Sequence, residues 1–254
     1  LASGDADSYV SSFQSGSHRN YSYLYDKSMY TTLWAAHPVY EGAIGTLDRP
    51  SWKRNPSLQE SSQINIWESS YGVSYVGSQN TTIYSRGHLV PNGDRNGINE
   101  MQEQTFYATN SVPQIQDYFN GGIWNSLENA VRAELSSPSD TIYVVTGAMF
   151  NKEGVTEDIK YIQPKYDTKE VPVPNYFYKV VMRVKWSNGS VASASAIGFW
   201  FEHKQYPSGS SYANYVQSVD QIEKWTGFDF FVNLPDEVET AAEKNTSWTT
   251  FQNF

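Results

Sequence analysis

The run Ser85-Arg86-Gly87-His88-Leu89-Val90-Pro91-Asn92-Gly93-Asp94-Arg95 sets a guanidinium and an imidazole two residues apart, with a second arginine close behind. Three glycines and one proline between Tyr84 and Gly97 predict that this stretch is mostly loop. Phosphodiester chemistry needs a base that is neutral near physiological pH and a fixed positive charge beside the phosphate. His88, flanked by Arg86 and Arg95, offers both, and Gly87 beside it would let the backbone approach a substrate closely. The other histidines, His18, His37 and His203, stand in no such company and read as structural or solvent-facing.

Fifteen residues after His88 a second patterned block begins, running from Glu103 to Arg132. Between Gly122 and Leu135 the residues Ile123, Leu127, Ala130 and Val131 recur at helical spacing, and Ser136-Ser137-Pro138 closes the helix they predict. Asn120 stands just before that helix. It reads locally as a plain N-cap, yet its carbonyl oxygen is also the hard donor that a water-rich Mg²⁺ accepts from protein. Glu128 and Arg132 lie four apart with the acid first, which as a surface pair is worth only about 0.3–0.5 kcal/mol.

Working outward, Asn99 is placed to cap a helix reaching about Ala108, and strands are expected near Tyr21–Tyr25, Ala36–Tyr40 and Thr141–Thr146. Asn188-Gly189 between two aromatic-rich runs predicts a hairpin of Tyr176–Trp186 with Ser190–Phe201. A third helix is expected over Tyr212–Trp225, with Tyr215, Val219 and Ile222 inward and Gly227 as its stop. Residues 1–20 read as a flexible, Ser- and Gly-rich lead-in and 21–254 as one α+β domain with antiparallel sheets.

The chain has 254 residues, no cysteine and no apolar run near the roughly 20 residues that span a bilayer, so thiolate chemistry and a transmembrane helix are excluded. A net charge of −9 argues against a protein that coats nucleic acid, though an enzyme needs only a basic cleft. Leu1 is compatible with a removed export signal, and an extracellular or periplasmic location is expected.

Taken in order, Arg86-Gly87-His88, Thr105-Phe106, Thr109-Asn110, Pro113-Gln114, Asn120, Trp124, Leu127-Glu128 and Arg132 resemble the DNA/RNA non-specific endonuclease family, the Serratia-type nucleases with a ββα-metal site. Val173-Pro174 through Lys179-Val180, Ile222-Glu223, Thr226 to Phe231 and Leu234-Pro235 extend the likeness over roughly residues 30–240. The resemblance implies a metal-dependent endonuclease that cuts DNA and RNA with little sequence preference and leaves 5′-phosphate ends. His88 would be the general base and Asn120 the direct ligand of Mg²⁺, with Mn²⁺ an alternative. Arg86 and Arg132 would meet phosphate, with Arg95 as a further substrate contact. Glu128 would hold water on the metal, Asn110 would order the site, and Arg49 or Arg54 would be an upstream arginine.

Two departures stand out. Ser85 replaces the family's usual Asp, and Asn110 and Asn120 lie one residue further apart than the family pattern sets them. Two other readings compete: a non-enzymatic module whose aromatics stack on glycans or single-stranded bases, and a member whose catalysis has lapsed. Core positions are expected for Trp124, Trp186 and Phe199, which weighs against the first. The sequence gives no oligomeric state.

Overall fold

A computed structural model describes residues 8–76, 80–137 and 140–254. The chain opens with β1 (Ser8–Ser15), β2 (His18–Asp26) and β3 (Thr31–Val39), an antiparallel meander. A long connection leads to β4 (Gly72–Val76) and β5 (Asn80–His88), then to helix α1 (Asn99–Thr105), strand β6 (Ser111–Ile115) and helix α2 (Asn125–Ala133). Next come β7 (Ile142–Met149), the short pair β8 (Tyr161–Ile162) and β9 (Val171–Pro172), and the hairpin of β10 (Tyr176–Ser187) and β11 (Ser190–Glu202). Strand β12 (Val216–Gln217) and helices α3 (Val219–Thr226), α4 (Asp236–Ala242) and α5 (Trp248–Gln252) complete it.

Seven strands form one sheet in the order β1-β2-β3-β7-β10-β11-β12, and β4-β5-β6 form a small second sheet. β10 is buried on both faces from Tyr176 to Arg183, as a central strand must be. Phe177 and Val181 point to one core, shared with Trp124, Leu127 and Val131 around α2. Tyr176, Tyr178, Val180 and Met182 point to the other, shared with Val219 and Ile222 of α3. The period-two alternation of one strand thus builds two cores. Trp124 is fully buried, and truncating such a side chain costs about 3–5 kcal/mol, so it pins the start of α2 to the sheet.

The hairpin follows its sequence signal. Asn188 (φ 51°) and Gly189 (φ 78°) both take the left-handed conformation that a two-residue turn requires. α3 ends at Gly227 (φ 71°), whose N–H reaches the Glu223 carbonyl.

Four expectations need correction. Residues 8–20 are not a loose lead-in: β1 pairs with β2 along its length, and Phe13 packs into the core between Tyr21 and Tyr23. Residues 84–88 are not loop but the end of β5, paired with β6. Trp186 is 61% exposed, because the β10–β11 hairpin outruns its neighbours and its register shifts at Lys185. Asn99 does not cap α1; its amide donates to Glu103 inside the helix. Residues 1–7 and Pro138 lie outside the described residues.

Candidate active site

Side chains two apart on a strand share a face, so β5 presents Arg86 and His88 together. Trp52 covers both: its ring lies 4.6 Å from the imidazole, and the Arg86 guanidinium sits 5.3 Å from the indole centroid. Phe106 meets His88 edge-on at 4.8 Å, and Arg49 lies 5.4 Å from the Phe106 ring. Arg86 also donates to the Ile66 carbonyl at 3.0 Å. Gly87 serves packing, not substrate approach: a Cβ there would fall 2.3 Å from the Gln114 side chain on β6.

Burial, and the nearby charges of Arg49 and Arg86, push the His88 imidazole down to about 3. Its Nε2 is buried with no hydrogen-bond partner among the described residues. Among the described residues no carboxylate pairs with the ring, so the free site holds it neutral.

Asn120 sits in a π-helical segment, Gln116–Trp124, whose winding breaks at Asp117, Tyr118 (φ 63°) and Gly122. Irregular winding of this kind can take up one extra residue between Asn110 and Asn120. Tyr118 lies in the left-handed region and is 54% exposed. The Asn120 amide nitrogen donates to Ser85 Oγ at 2.9 Å and to Gln116 Oε1 at 3.2 Å. Both N–H groups are thereby engaged, and the carbonyl oxygen is left for a ligand. Ser85 Oγ in turn donates to the Gln114 carbonyl at 3.1 Å. The serine that departs from the family pattern is therefore a positioning residue for Asn120. If Asn120 holds a divalent cation, Ser85→Ala is expected to weaken Mg²⁺ binding by about 10–100-fold with little change in Tm. Calorimetric Mg²⁺ titration reads this directly, and an unaltered affinity refutes the role.

On α2, Glu128 and Arg132 do not pair with each other. Arg132 donates to Asp94 at 2.6 Å and to Asn129, and Asp94 holds His37 of β3 at 2.8 Å with its other oxygen. Burial alone would raise the Asp94 carboxyl, but the His37 hydrogen bond and the Arg132 charge bring it well below the usual carboxylate range. Burial lowers His37 to about 4, so a neutral ring donates to that carboxylate. Burial pushes Glu128 up to about 7, against the pull of Lys179. Lys179 is itself buried on β10, donating to Thr146 and lying 4.9 Å from the Trp124 ring.

Arg49, Trp52, Arg86, His88, Asn120, Glu128 and Arg132 line one cleft of about 700 Å³. Arg54 pairs instead with Glu60 at an exposed position, so Arg49 is the upstream arginine that faces the cleft. Arg95 is fully buried, donating to the carbonyls of Asn20, Pro38 and Asp94 and to the Asn20 side chain; it braces the loop and cannot meet substrate. Asn110 is buried too. Its amide bonds the Val90 and Thr105 carbonyls and the Val90 N–H, so it orders the His88 loop without lining the cleft. Trp52, Asp94 and Lys179 were missed by sequence reasoning. Lys179 left a signal, as the lone charge early in the otherwise unbroken apolar run of β10.

The model of the DNA/RNA non-specific endonuclease family matches residues 3–237. Mitochondrial nuclease EXOG of Xenopus laevis is 30% identical over 230 residues, covering 85% of this chain and 57% of that protein. The mouse EXOG nuclease is 28% identical over 221 residues, covering 85% and 56%. A nuclease of Serratia marcescens is 26% identical over 214 residues, covering 82% and 71%. The chain spans about half the length of the EXOG relatives it matches. In fold it is similar to a chain in the crystal structure of the EndoG/EndoGI complex, with a TM-score of 0.68 at 20% identity over 87% of each chain. With a family match across nearly its whole length and the family's residue types gathered in one cleft, the chain belongs to the DNA/RNA non-specific endonucleases.

Proposed function

We propose that this cleft hydrolyses the phosphodiester bonds of DNA and RNA, with a divalent cation as cofactor. One observation carries the reading: a neutral imidazole, three arginines and an amide oxygen with both its N–H groups engaged converge on one cleft. The donor set fits Mg²⁺, or Mn²⁺ in its place, since Asn120 offers one hard oxygen, Glu128 a nearby carboxylate, and solvent the rest. Such an ion supplies charge neutralisation at the phosphoryl oxygen and at the departing 3′ oxygen.

The chain's own groups do the remainder. Arg86 and Arg49 draw the phosphate to the His88 side of the cleft, and the remaining N–H groups of Arg132 meet it from α2. Burial is the main cause of the low His88 basicity and the charges of Arg49 and Arg86 add to it; a bound phosphate offsets those charges and so raises the basicity of the ring in part. His88 then takes the proton of the attacking water. Contacts directed to phosphate carry no base information, which is why sequence tolerance and action on both sugars follow. Export of the chain is part of the same reading and is tested by fractionation of the source cells; the EXOG relatives are named as mitochondrial. No helix among the described residues is long and apolar enough to cross a membrane.

Supercoiled plasmid and structured RNA should both be cut in Mg²⁺ and spared in EDTA, with 5′-phosphate and 3′-hydroxyl ends. Undiminished nicking in EDTA, or 3′-phosphate ends, overturns the reading.

A further inference from the structure

On the opposite face of the seven-stranded sheet from the cleft, the start of α3 meets the end of α4. The N–H groups of Val219 and Asp220 both point at the Glu243 carbonyl, which locks the two helices together. This junction gathers acid. Asp220 and Glu223 are three apart on α3 and share a face of the helix, and a carboxylate oxygen of each lies within 4.8 Å of one on Glu243. Asp229 and Glu239 are close enough to act on Glu243 electrostatically. Among the described residues, no lysine, arginine or histidine forms an ion pair with any of these five carboxylates.

Crowded acids on a solvated surface would mean little. Glu243 is different, because it is only 6% exposed and its carboxylate Oε1 is buried without a hydrogen-bond partner among the described residues. A buried carboxylate is ordinarily paired or hydrogen-bonded, or it binds a metal. Here carboxylate oxygens of Asp220 and Glu223 lie within 4.8 Å of it, and no cation pairs with it among the described residues. The N-terminus of α3 offers partial positive charge, but its two nearest N–H groups already serve the backbone carbonyl of Glu243.

We propose that Asp220, Glu223 and Glu243 hold a structural divalent cation of the hard, oxygen-seeking class, Ca²⁺ before Mg²⁺, which clamps α3 to α4. Three carboxylates from two elements, one of them solvent-facing, suit the high and adaptable coordination of Ca²⁺ better than the strict octahedron of Mg²⁺. Affinities of Ca²⁺ sites with few protein ligands are expected at the weak end, about 10⁻⁴–10⁻³ M. This site is separate from the cleft and does not rest on the nuclease reading.

The test uses Asn120→Ala protein, in which cation binding at the cleft is weakened, and compares variants within that one background so that whatever cleft binding remains cancels. After EDTA treatment and dialysis, CaCl₂ up to 10 mM is expected to raise Tm by about 5 °C. Adding Glu223→Gln and Glu243→Gln to that background should abolish the rise. In EDTA the same double change should increase Tm, since it relieves repulsion and leaves packing intact. Asp220→Asn, at an exposed position, should only shift the CaCl₂ midpoint upward. The proposal is overturned if neither CaCl₂ nor MgCl₂ moves the Tm of Asn120→Ala protein. An equal rise in the variant lacking Glu223 and Glu243 overturns it as well.

Discussion

His88→Ala is expected to lower the single-turnover rate of plasmid cleavage by about 10²–10⁴-fold, the usual worth of a positioned general base. Stability should change little at neutral pH. The ring loses its contacts with Trp52 and Phe106, but the variant no longer buries an unpartnered nitrogen. Acid gives a second, independent signature. The folded state holds His88 near 3, while an unfolded chain titrates it near 6.5, so the unfolded state binds more protons between those values. Parent stability therefore contains a term that is complete above pH 6.5 and is lost as pH falls, at about 1.4 kcal/mol per unit. His88→Ala lacks that term and should lose up to about 3 kcal/mol less than the parent between pH 6.5 and 4. Cleavage within tenfold of the parent would remove His88 from the role of base. Parallel stability curves would show that its ring is not held neutral by the site.

Asn120→Ala is expected to cost about 10³-fold or more in cleavage at millimolar Mg²⁺, equivalent to several kcal/mol of charge stabilisation at the phosphoryl group. The loss should be met in part by raising Mg²⁺, because Glu128 remains and solvent can fill the vacated position. Asn120→Asp separates geometry from donor strength: it keeps an oxygen at the same place, adds charge, and should bind the cation at least as tightly. Calorimetry of Mg²⁺ binding decides the matter without reference to turnover. Parent-like affinity in Asn120→Ala protein would show that the amide is a helix-start residue and nothing more.

Five of the cleft's residues were legible in the sequence because they come from two short blocks, while Arg49 and Trp52 reach it from a third. Arg86 and His88 are two apart on β5, and Asn120, Glu128 and Arg132 fall on one segment and its helix, so local spacing carries the arrangement. Arg95 was misread for the opposite reason. An arginine beside a functional loop looks the same in sequence whether it faces phosphate or caps carbonyls, and the groups that bury it, Asn20 and Pro38, are distant in the chain. Asp94 and Lys179 escaped on the same account, since their importance lies in His37, Arg132 and Glu128 approaching from other elements. Secondary structure shows the same divide. The β10–β11 hairpin carries its own Asn-Gly signal, whereas β1 is a serine-rich edge strand with one well-buried anchor, Phe13, and little alternation to read.

The three arginines of the cleft sit in a chain whose formal charge is −9. If the cleft cuts nucleic acid as proposed, a polyanion is attracted there while the net acidity of the chain opposes broad, non-specific binding along its surface. Each hydrolysis should be followed by release, and successive cuts should fall on different molecules. A long substrate population would then shorten evenly, every strand losing length together, instead of a few being consumed to the end while the rest stay whole.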